Sequence, residues 1–288
     1  MRLIGCMPVR NEDWILGLSA RVALMWCDAL VIFLHACTDD SEVIANKLLA
    51  EYGERVLVCG SRDDKWDEMS HRQMMLGQAR AWEATHIALT DADEVLTANL
   101  LPKIRDVIEH TPLGHILHVP GYNLRGGLHR YHANGVWGNR WFSVAFADDP
   151  RLQWSGDKFH QREPGGALLI PRQWPAHGDG GVLHCWGASE RRLIARHRLY
   201  KIVEHLRWPD KSVELIERMY NWATLGDPKN PAFGTPATWT YAPVPSEWWT
   251  PYADLMGYLD VEREPWQIQE CERLIALHGR EKFAGLSI

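Results

Sequence analysis

Apolar positions in the first third of the chain alternate between two periods. Short unbroken apolar runs at residues 2–7, 29–34, 55–59 and 86–90 have the length of strands buried on both faces. Between them, apolar residues recur every three or four positions, as on one face of a helix. Ile15, Leu18, Val22 and Met25 form one such face behind a cap at Asn11. Ile44, Leu48 and Tyr52 form another, starting at Asp40 or Ser41. Residues 66–83 and 100–110 read as two more helices, with Pro102 tolerated in the first turn of the second. This β-α-β order predicts an α/β fold, a mostly parallel sheet with helices on both faces. Ligands of such sheets bind beyond the carboxyl ends of the strands. The loops at residues 8–11, 36–39, 60–63 and 91–93 all fall at that edge.

Past residue 111 the texture changes. Strand-like runs at 115–122, 136–146, 167–170 and 180–186 are separated by glycine-rich turns, which predicts a mixed second half. Ser189 caps a basic helix reaching about residue 205, with Leu199, Ile202, Val203 and Leu206 on one face. Residues 223–250, rich in Pro, Thr and Trp, are expected to wrap the surface. Residues 265–277 form an amphipathic helix expected to pack on the domain. The expected organisation is one domain over 1–222, divided near residue 110, and a helical C-terminal extension over 223–288.

Composition narrows the classes. A chain of 288 residues, 46% hydrophobic and 24% charged, is an ordinary globular protein with a sizeable core. Its net charge of -6 argues against a broad grip on nucleic-acid backbone, although a local basic patch remains compatible. No stretch reaches the ~18–20 apolar residues of a membrane span, and Pro8 breaks the apolar start too early for a secretory signal. The six cysteines show no CxxC pair and no zinc spacing. Reduced thiols and a cytoplasmic location are the expectation. Tryptophan is over-represented, with 15 copies. Core packing and sugar-stacking platforms both use it, and its number does not separate them.

The chemistry concentrates at Thr90-Asp91-Ala92-Asp93-Glu94, directly after the fourth strand. In an extended backbone, side chains at i and i+2 point the same way, so Asp91 and Asp93 are expected to face one point. Like charges held so close call for a cation, and hard ions such as Mg²⁺ bind through one or two carboxylates plus substrate phosphates. Asp-x-Asp-Glu also serves as a plain turn and helix-start cluster, and that reading stays open.

A strand-end Asp-x-Asp in an α/β half, followed by a mixed half, resembles the GT-A fold of nucleotide-sugar glycosyltransferases, more narrowly the family 2 type. The residues carrying it are Pro8-Val9-Arg10-Asn11-Glu12, Thr38-Asp39, Asp91-Ala92-Asp93, and His184 followed by the basic helix ending near Tyr200-Lys201. It covers roughly residues 1–205, and no single motif in it is specific. The resemblance implies a Rossmann-like nucleotide-binding half at 1–110 and an acceptor half at 111–222. It implies Mn²⁺ or Mg²⁺ held by Asp91, Asp93 and His184, with Asp93 the direct ligand of the motif. It also implies a donor pocket lined by Pro8, Arg10, Asn11, Glu12, Asp39, Arg72 and Asp91. As alternatives, Asn11 caps a helix, Glu12 favours its dipole, Arg72 lies on a solvated helix face and His184 is a core histidine.

The sequence departs from the family at two places. Leu34, followed by His35, stands where an aspartate typically contacts the base or ribose. His160-Gln161 stands where relatives often carry His-Glu. The carboxylate that deprotonates the acceptor is then expected from Asp157 first, with Glu163 and Asp179 as alternatives. Arg191, Arg192 and Lys201 either meet diphosphate or form a solvated helix face.

The implied reaction moves a sugar from a nucleotide-diphosphate sugar to an acceptor, with inversion. The acceptor is open among glycan, lipid-linked, small-molecule, protein and modified nucleic-acid classes. Two rivals remain. A sugar-phosphate nucleotidyltransferase shares the α/β logic but usually opens on a glycine-rich loop absent here. A non-catalytic glycan- or partner-binding GT-A domain fits Leu34 and Gln161 but not the intact acidic pair.

Overall fold

The computed structural model describes residues 1–170, 174–230 and 232–288. Pro231, in the stretch expected to wrap the surface, lies outside them. The chain forms β1 (Leu3–Val9), α1 (Leu16–Trp26), β2 (Ala29–His35), α2 (Ser41–Tyr52), β3 (Val56–Ser61), α3 (Glu68–Ala81), β4 (His86–Leu89), β5 (Glu94–Leu96) and α4 (Leu101–Glu109). There follow β6 (His115–Asn123), β7 (Arg130–His132), β8 (Arg140–Ala147), β9 (Leu168–Leu169), β10 (Val182–His184), α5 (Glu190–Arg207), α6 (Val213–Leu225), β11 (Tyr241–Pro243) and α7 (Gln267–His278). This is the expected α/β class. Chain contacts define two compact units: Met1–Gly121, Trp141–His184 and Pro245–Asp260 form one, and Tyr122–Arg140, Cys185–Val244 and Val261–Ile288 the other.

The main sheet runs β3-β2-β1-β4-β8-β6-β10-β5, with β9 beside β6. Strands β3, β2, β1 and β4 pair in parallel, and β8 joins β4 antiparallel. Alternation along the parallel strands builds two cores. Ile4, Cys6, Val31 and Phe33 pack with Met69, Met75, Leu76 and Ala79 of α3. Met7, Val9, Leu30 and Ile32 pack with Leu16 and Ala20 of α1 and with Ala45 and Leu48 of α2. Burial on both faces is why these strands read as unbroken apolar runs.

Pro8 does not end β1, which continues through it to Val9. Cys6 turns its carbonyl to β4, accepting from Thr90 N at 3.2 Å, and the β1–β4 ladder stops at Cys6–Leu89. Two residues on, Pro8 turns its missing N–H to the same side, past the end of β4, so no ladder bond is lost.

Asn11 is not a helix cap. Helix α1 begins at Leu16, without a side-chain cap, and Asn11 adopts φ 55°, a left-handed conformation that Asn tolerates better than most residues. Met25 is exposed rather than part of the buried face. Ser189 does cap α5, accepting from Arg192 N at 3.4 Å. Helix α6 and the three-residue β5 have no counterpart in the apolar pattern.

In the second unit, β11 pairs antiparallel with β7. Lys201 of α5 is buried there and donates to Glu217 and Asn221 of α6 and to Ser287 at 2.6–3.2 Å. Lys201 is thereby a structural strut rather than a solvated cation. Arg192 is likewise buried and donates to Arg263 O at 2.9 Å, whereas Arg191 pairs on the surface with Glu264. Among the described residues, no helix is long and apolar enough to cross a membrane.

Candidate active site

The residues that the sequence nominates for the metal, the donor pocket and the base belong to the first unit, whereas Arg191, Arg192 and Lys201 belong to the second. At the ends of β1 and β2, Asn11 joins the two loops. Its Oδ1 accepts from Thr38 N at 2.7 Å and Asp39 N at 3.3 Å, and its Nδ2 donates to Thr38 Oγ1 at 3.2 Å. Asp39 accepts from Ser41 N at 2.9 Å and Asp13 N at 3.0 Å, so it organises the start of α2. Glu12 is buried; its carboxylate accepts from Trp14 Nε1 at 2.6 Å, while its carbonyl accepts from Leu16 N at 2.8 Å where α1 starts and its N–H donates to Ser41 Oγ at 2.9 Å where α2 starts. Arg10 lies 4.6 Å from the Trp66 ring centroid and meets the His35 ring nitrogens at 3.3 Å and Asp64 O at 3.1 Å. His35 packs on His71, with centroids 4.4 Å apart. Burial, Arg10 and His71 push the His35 imidazole down to about 4, so it is neutral at pH 7. The edge beside Leu34 is thus built from Arg10, His35, Trp66 and His71.

The acid motif is a turn, not an extended segment. Glu94 N donates to Asp91 O at 3.0 Å, closing it. The premise that Asp91 and Asp93 share a direction through an i, i+2 extended geometry is therefore overturned. They meet different partners. Asp91 Oδ1 faces Arg72 at 3.4 Å and its Oδ2 accepts from Arg162 at 2.8 Å. Asp93 Oδ2 lies 3.6 Å from His184 Nε2. Arg72 also donates to Glu68 at 2.9 Å, so it serves the acid turn and is no solvated helix residue. His184 reaches Asp93 because β10 pairs antiparallel with β5, with His184 opposite Glu94. The Phe142 ring stands edge-on to His184, with centroids 5.3 Å apart.

Sequence reasoning missed Arg162. It donates to Ser143 O (2.8 Å), Leu89 O (2.7 Å), Asp91 (2.8 Å) and both oxygens of Glu94 (2.6 and 2.7 Å). All five guanidinium N–H groups are used. An alternating chain results: Glu68, Arg72, Asp91, Arg162, Glu94. Burial pushes the Asp91 carboxyl up, but Arg162 and Arg72 together outweigh it and hold the group below its ordinary value. For Glu94 burial wins over Arg162, raising it to about 7. In the sequence, Arg162 is marked only by lying beside Glu163 in the segment that offers candidate bases.

That segment holds two candidate bases in different settings. Asp157 is exposed, in a loop whose His160 N donates to Glu68 at 2.9 Å. Glu163 is partly buried and meets His118 Nε2 at 2.8 Å and the Ser143 hydroxyl. His118 and Ser143 touch through the same Nε2 at 3.1 Å, so these groups do not form a nucleophilic triad, which needs the two ring nitrogens on opposite partners. Asp179 lies in the loop before β10, where its carbonyl accepts from Asn99 at 2.9 Å.

Among the described residues, no group of three or more His, Cys, Asp and Glu side chains is arranged to hold a metal ion. Two donors on one Mg²⁺ or Mn²⁺ sit roughly 3–4 Å apart, and the Asp93–His184 separation of 3.6 Å falls in that range. The donor set fits a cation that takes its remaining ligands from phosphate oxygens and water. Asp91 does not fit as a direct ligand, because guanidinium groups engage both its oxygens.

No family model and no curated protein matches the chain. Several solved structures do. TarS 1-349 from S. aureus, in complex with UDP, is 13% identical over 51% of this chain and 47% of that one, with a TM-score of 0.37. Matches to two other TarS structures span 36% and 28% of those chains, so the match covers less than half the length of TarS. The mannosyltransferase PcManGT from Pyrobaculum calidifontis, in complex with GDP-Man and Mn²⁺, is 9% identical over 97% of this chain and 75% of that one, with a TM-score of 0.39. GalNAc-T7 with UDP, GalNAc and Mn²⁺ is 12% identical over 96% and 57% of the two chains, with a TM-score of 0.37.

Proposed function

We propose that this chain is a metal-dependent glycosyltransferase that uses a nucleotide-diphosphate sugar. The observation that carries the proposal is Asp93 beside His184 at 3.6 Å, at the carboxyl end of the parallel strand β4, where such sheets bind ligands. Asp93 and His184 would hold Mn²⁺ or Mg²⁺, which supplies positive charge to a departing diphosphate. The loops after β1 and β2 bind the nucleoside, with Asn11 and Asp39 fixing the loops and Arg10, His35 and Trp66 offering an aromatic and cationic wall. A wall of N–H donors and ring faces suits base carbonyls, in place of the missing aspartate at Leu34.

On the acceptor side, Glu163 receives the hydroxyl proton as the nucleophile attacks the anomeric carbon opposite the diphosphate, which inverts that centre. The support is its setting. His118 and Ser143 aim its carboxylate, and it remains partly solvent-accessible. Asp157, the first expectation, is exposed on its loop.

Glycosyltransferases leak sugar to water, so hydrolysis of a nucleotide-sugar panel with Mn²⁺ tests the reading without knowledge of the acceptor. Free sugar should appear with one or a few donors and stop on chelation of the metal. If Asp93→Ala leaves both turnover and metal dependence intact, the assignment fails.

A further inference from the structure

Carboxylates gathered in a buried turn require a counter-charge, because desolvation makes an uncompensated charge expensive. At the acid turn that counter-charge is a side chain. Arg162 grips Glu94 with two parallel bonds of 2.6 and 2.7 Å and takes Asp91 at 2.8 Å on the same nitrogen that meets Glu94 Oε1. Its remaining donors end on the carbonyls of Ser143 and Leu89. The planar fork matches a carboxylate in a way a lysine ammonium does not. The Glu94 side chain is only 7% exposed and that of Arg162 17%, so the pair is shielded from bulk water. Asp91 turns its other oxygen to Arg72, which Glu68 holds in turn.

We propose that Arg162 is a built-in cation. Its guanidinium occupies the place between Asp91 and Glu94 that a divalent ion would otherwise take, and so confines metal binding to Asp93 and His184. The inference rests on the metal site proposed above. Arg162 acts here as a positioning residue. It neutralises the first carboxylate of the motif and the glutamate after it, and fixes the turn through Leu89 and Ser143, while the second carboxylate stands 3.6 Å from His184. Without Arg162, Asp91, Asp93 and Glu94 would share one turn with Arg72 as the remaining arginine, a setting suited to a hard cation.

Titration of the metal-free full chain with Mn²⁺, following free ion by its paramagnetic resonance signal, tests this directly. Arg162→Met should bind one more Mn²⁺ per chain than the wild type, and added Mn²⁺ should raise its melting temperature more. Arg162→Lys keeps a positive charge and should keep the wild-type stoichiometry. Equal stoichiometry and equal Mn²⁺ response in wild type and Arg162→Met would overturn the proposal. Should Arg162→Met fail to fold, single substitutions decide. Asp93→Asn should weaken Mn²⁺ binding about tenfold or more, and Asp91→Asn should weaken it clearly less. Equal losses would refute the division of roles. If the wild type binds no Mn²⁺, the proposed metal site fails, yet an Mn²⁺ site gained only by Arg162→Met would still uphold the role of the guanidinium.

Discussion

Gly121→Ala should disturb the candidate metal site from its far side. A Cβ on Gly121 would lie 2.3 Å from Phe142 Cδ1 and 2.5 Å from Cε1, too close to persist, so the ring must move. Two neighbours register that movement: His184, 5.3 Å away between centroids, and the Arg162 guanidinium, 6.0 Å from the ring centroid. Overpacking of this kind costs about 1–3 kcal/mol. A domain of this size loses roughly 2–4 °C of melting temperature per kcal/mol, so a drop of about 2–12 °C is expected. Displacing a group that supports a metal ligand typically weakens the metal by about 10–100-fold, so Mn²⁺ affinity should fall with stability. Phe142→Leu removes the ring edge that a Cβ would strike. The double substitution should recover part of the loss, with a coupling of about 0.5–3 kcal/mol. Thermal unfolding followed by tryptophan fluorescence, together with Mn²⁺ titration of the four proteins, completes the cycle. Unchanged stability in Gly121→Ala, or strict additivity in the double variant, would refute the packing argument.

Arg80 chelates Asp148 through two 2.8 Å bonds and caps the carbonyls of Asp149 and Leu152. Arg80→Ala strands a largely buried carboxylate and should cost about 2–4 kcal/mol in urea unfolding; a loss below about 0.5 kcal/mol would contradict this. His35 should make stability depend on acid. Its folded value of about 4 lies below the ordinary 6.5, so the unfolded chain binds the proton first. Stability is therefore complete above pH 6.5 and falls as pH drops toward 4, by up to about 3 kcal/mol. His35→Gln should flatten that window in pH-dependent unfolding, and an unchanged slope would show that His35 is not held neutral. Glu163→Gln should lower donor hydrolysis by about a hundredfold or more while leaving donor binding intact. Retained hydrolysis would return the base role to another carboxylate.

The parallel half was legible because β1, β2 and β4 are buried on both sides, so strand length and apolar content coincide. The same logic put the acid motif at the strand ends. Two features escaped for physical reasons. The turn at residues 91–94 follows from the bond between Glu94 N and Asp91 O, and an i, i+2 argument assumes the extended backbone that this bond abolishes. Arg162 lies 71 residues from Asp91, and nothing local in its sequence distinguishes it from a surface arginine; only tertiary pairing does. Asn11 shows the converse. A residue good at helix caps is also good at left-handed φ and loop bridging, and here the second use holds.

Melting of the wild type and Asp93→Ala, each with a nucleotide sugar in the presence and absence of Mn²⁺, addresses the diphosphate anchor itself. At a ligand concentration near 100 times Kd, binding to the folded form adds about 2.7 kcal/mol, a shift of several degrees. The wild type should gain that shift only when nucleotide sugar and Mn²⁺ are both present, and Asp93→Ala should lose it. Equal stabilisation of both proteins by the nucleotide sugar, with or without the metal, would contradict the assignment of Asp93 and His184 as the anchor.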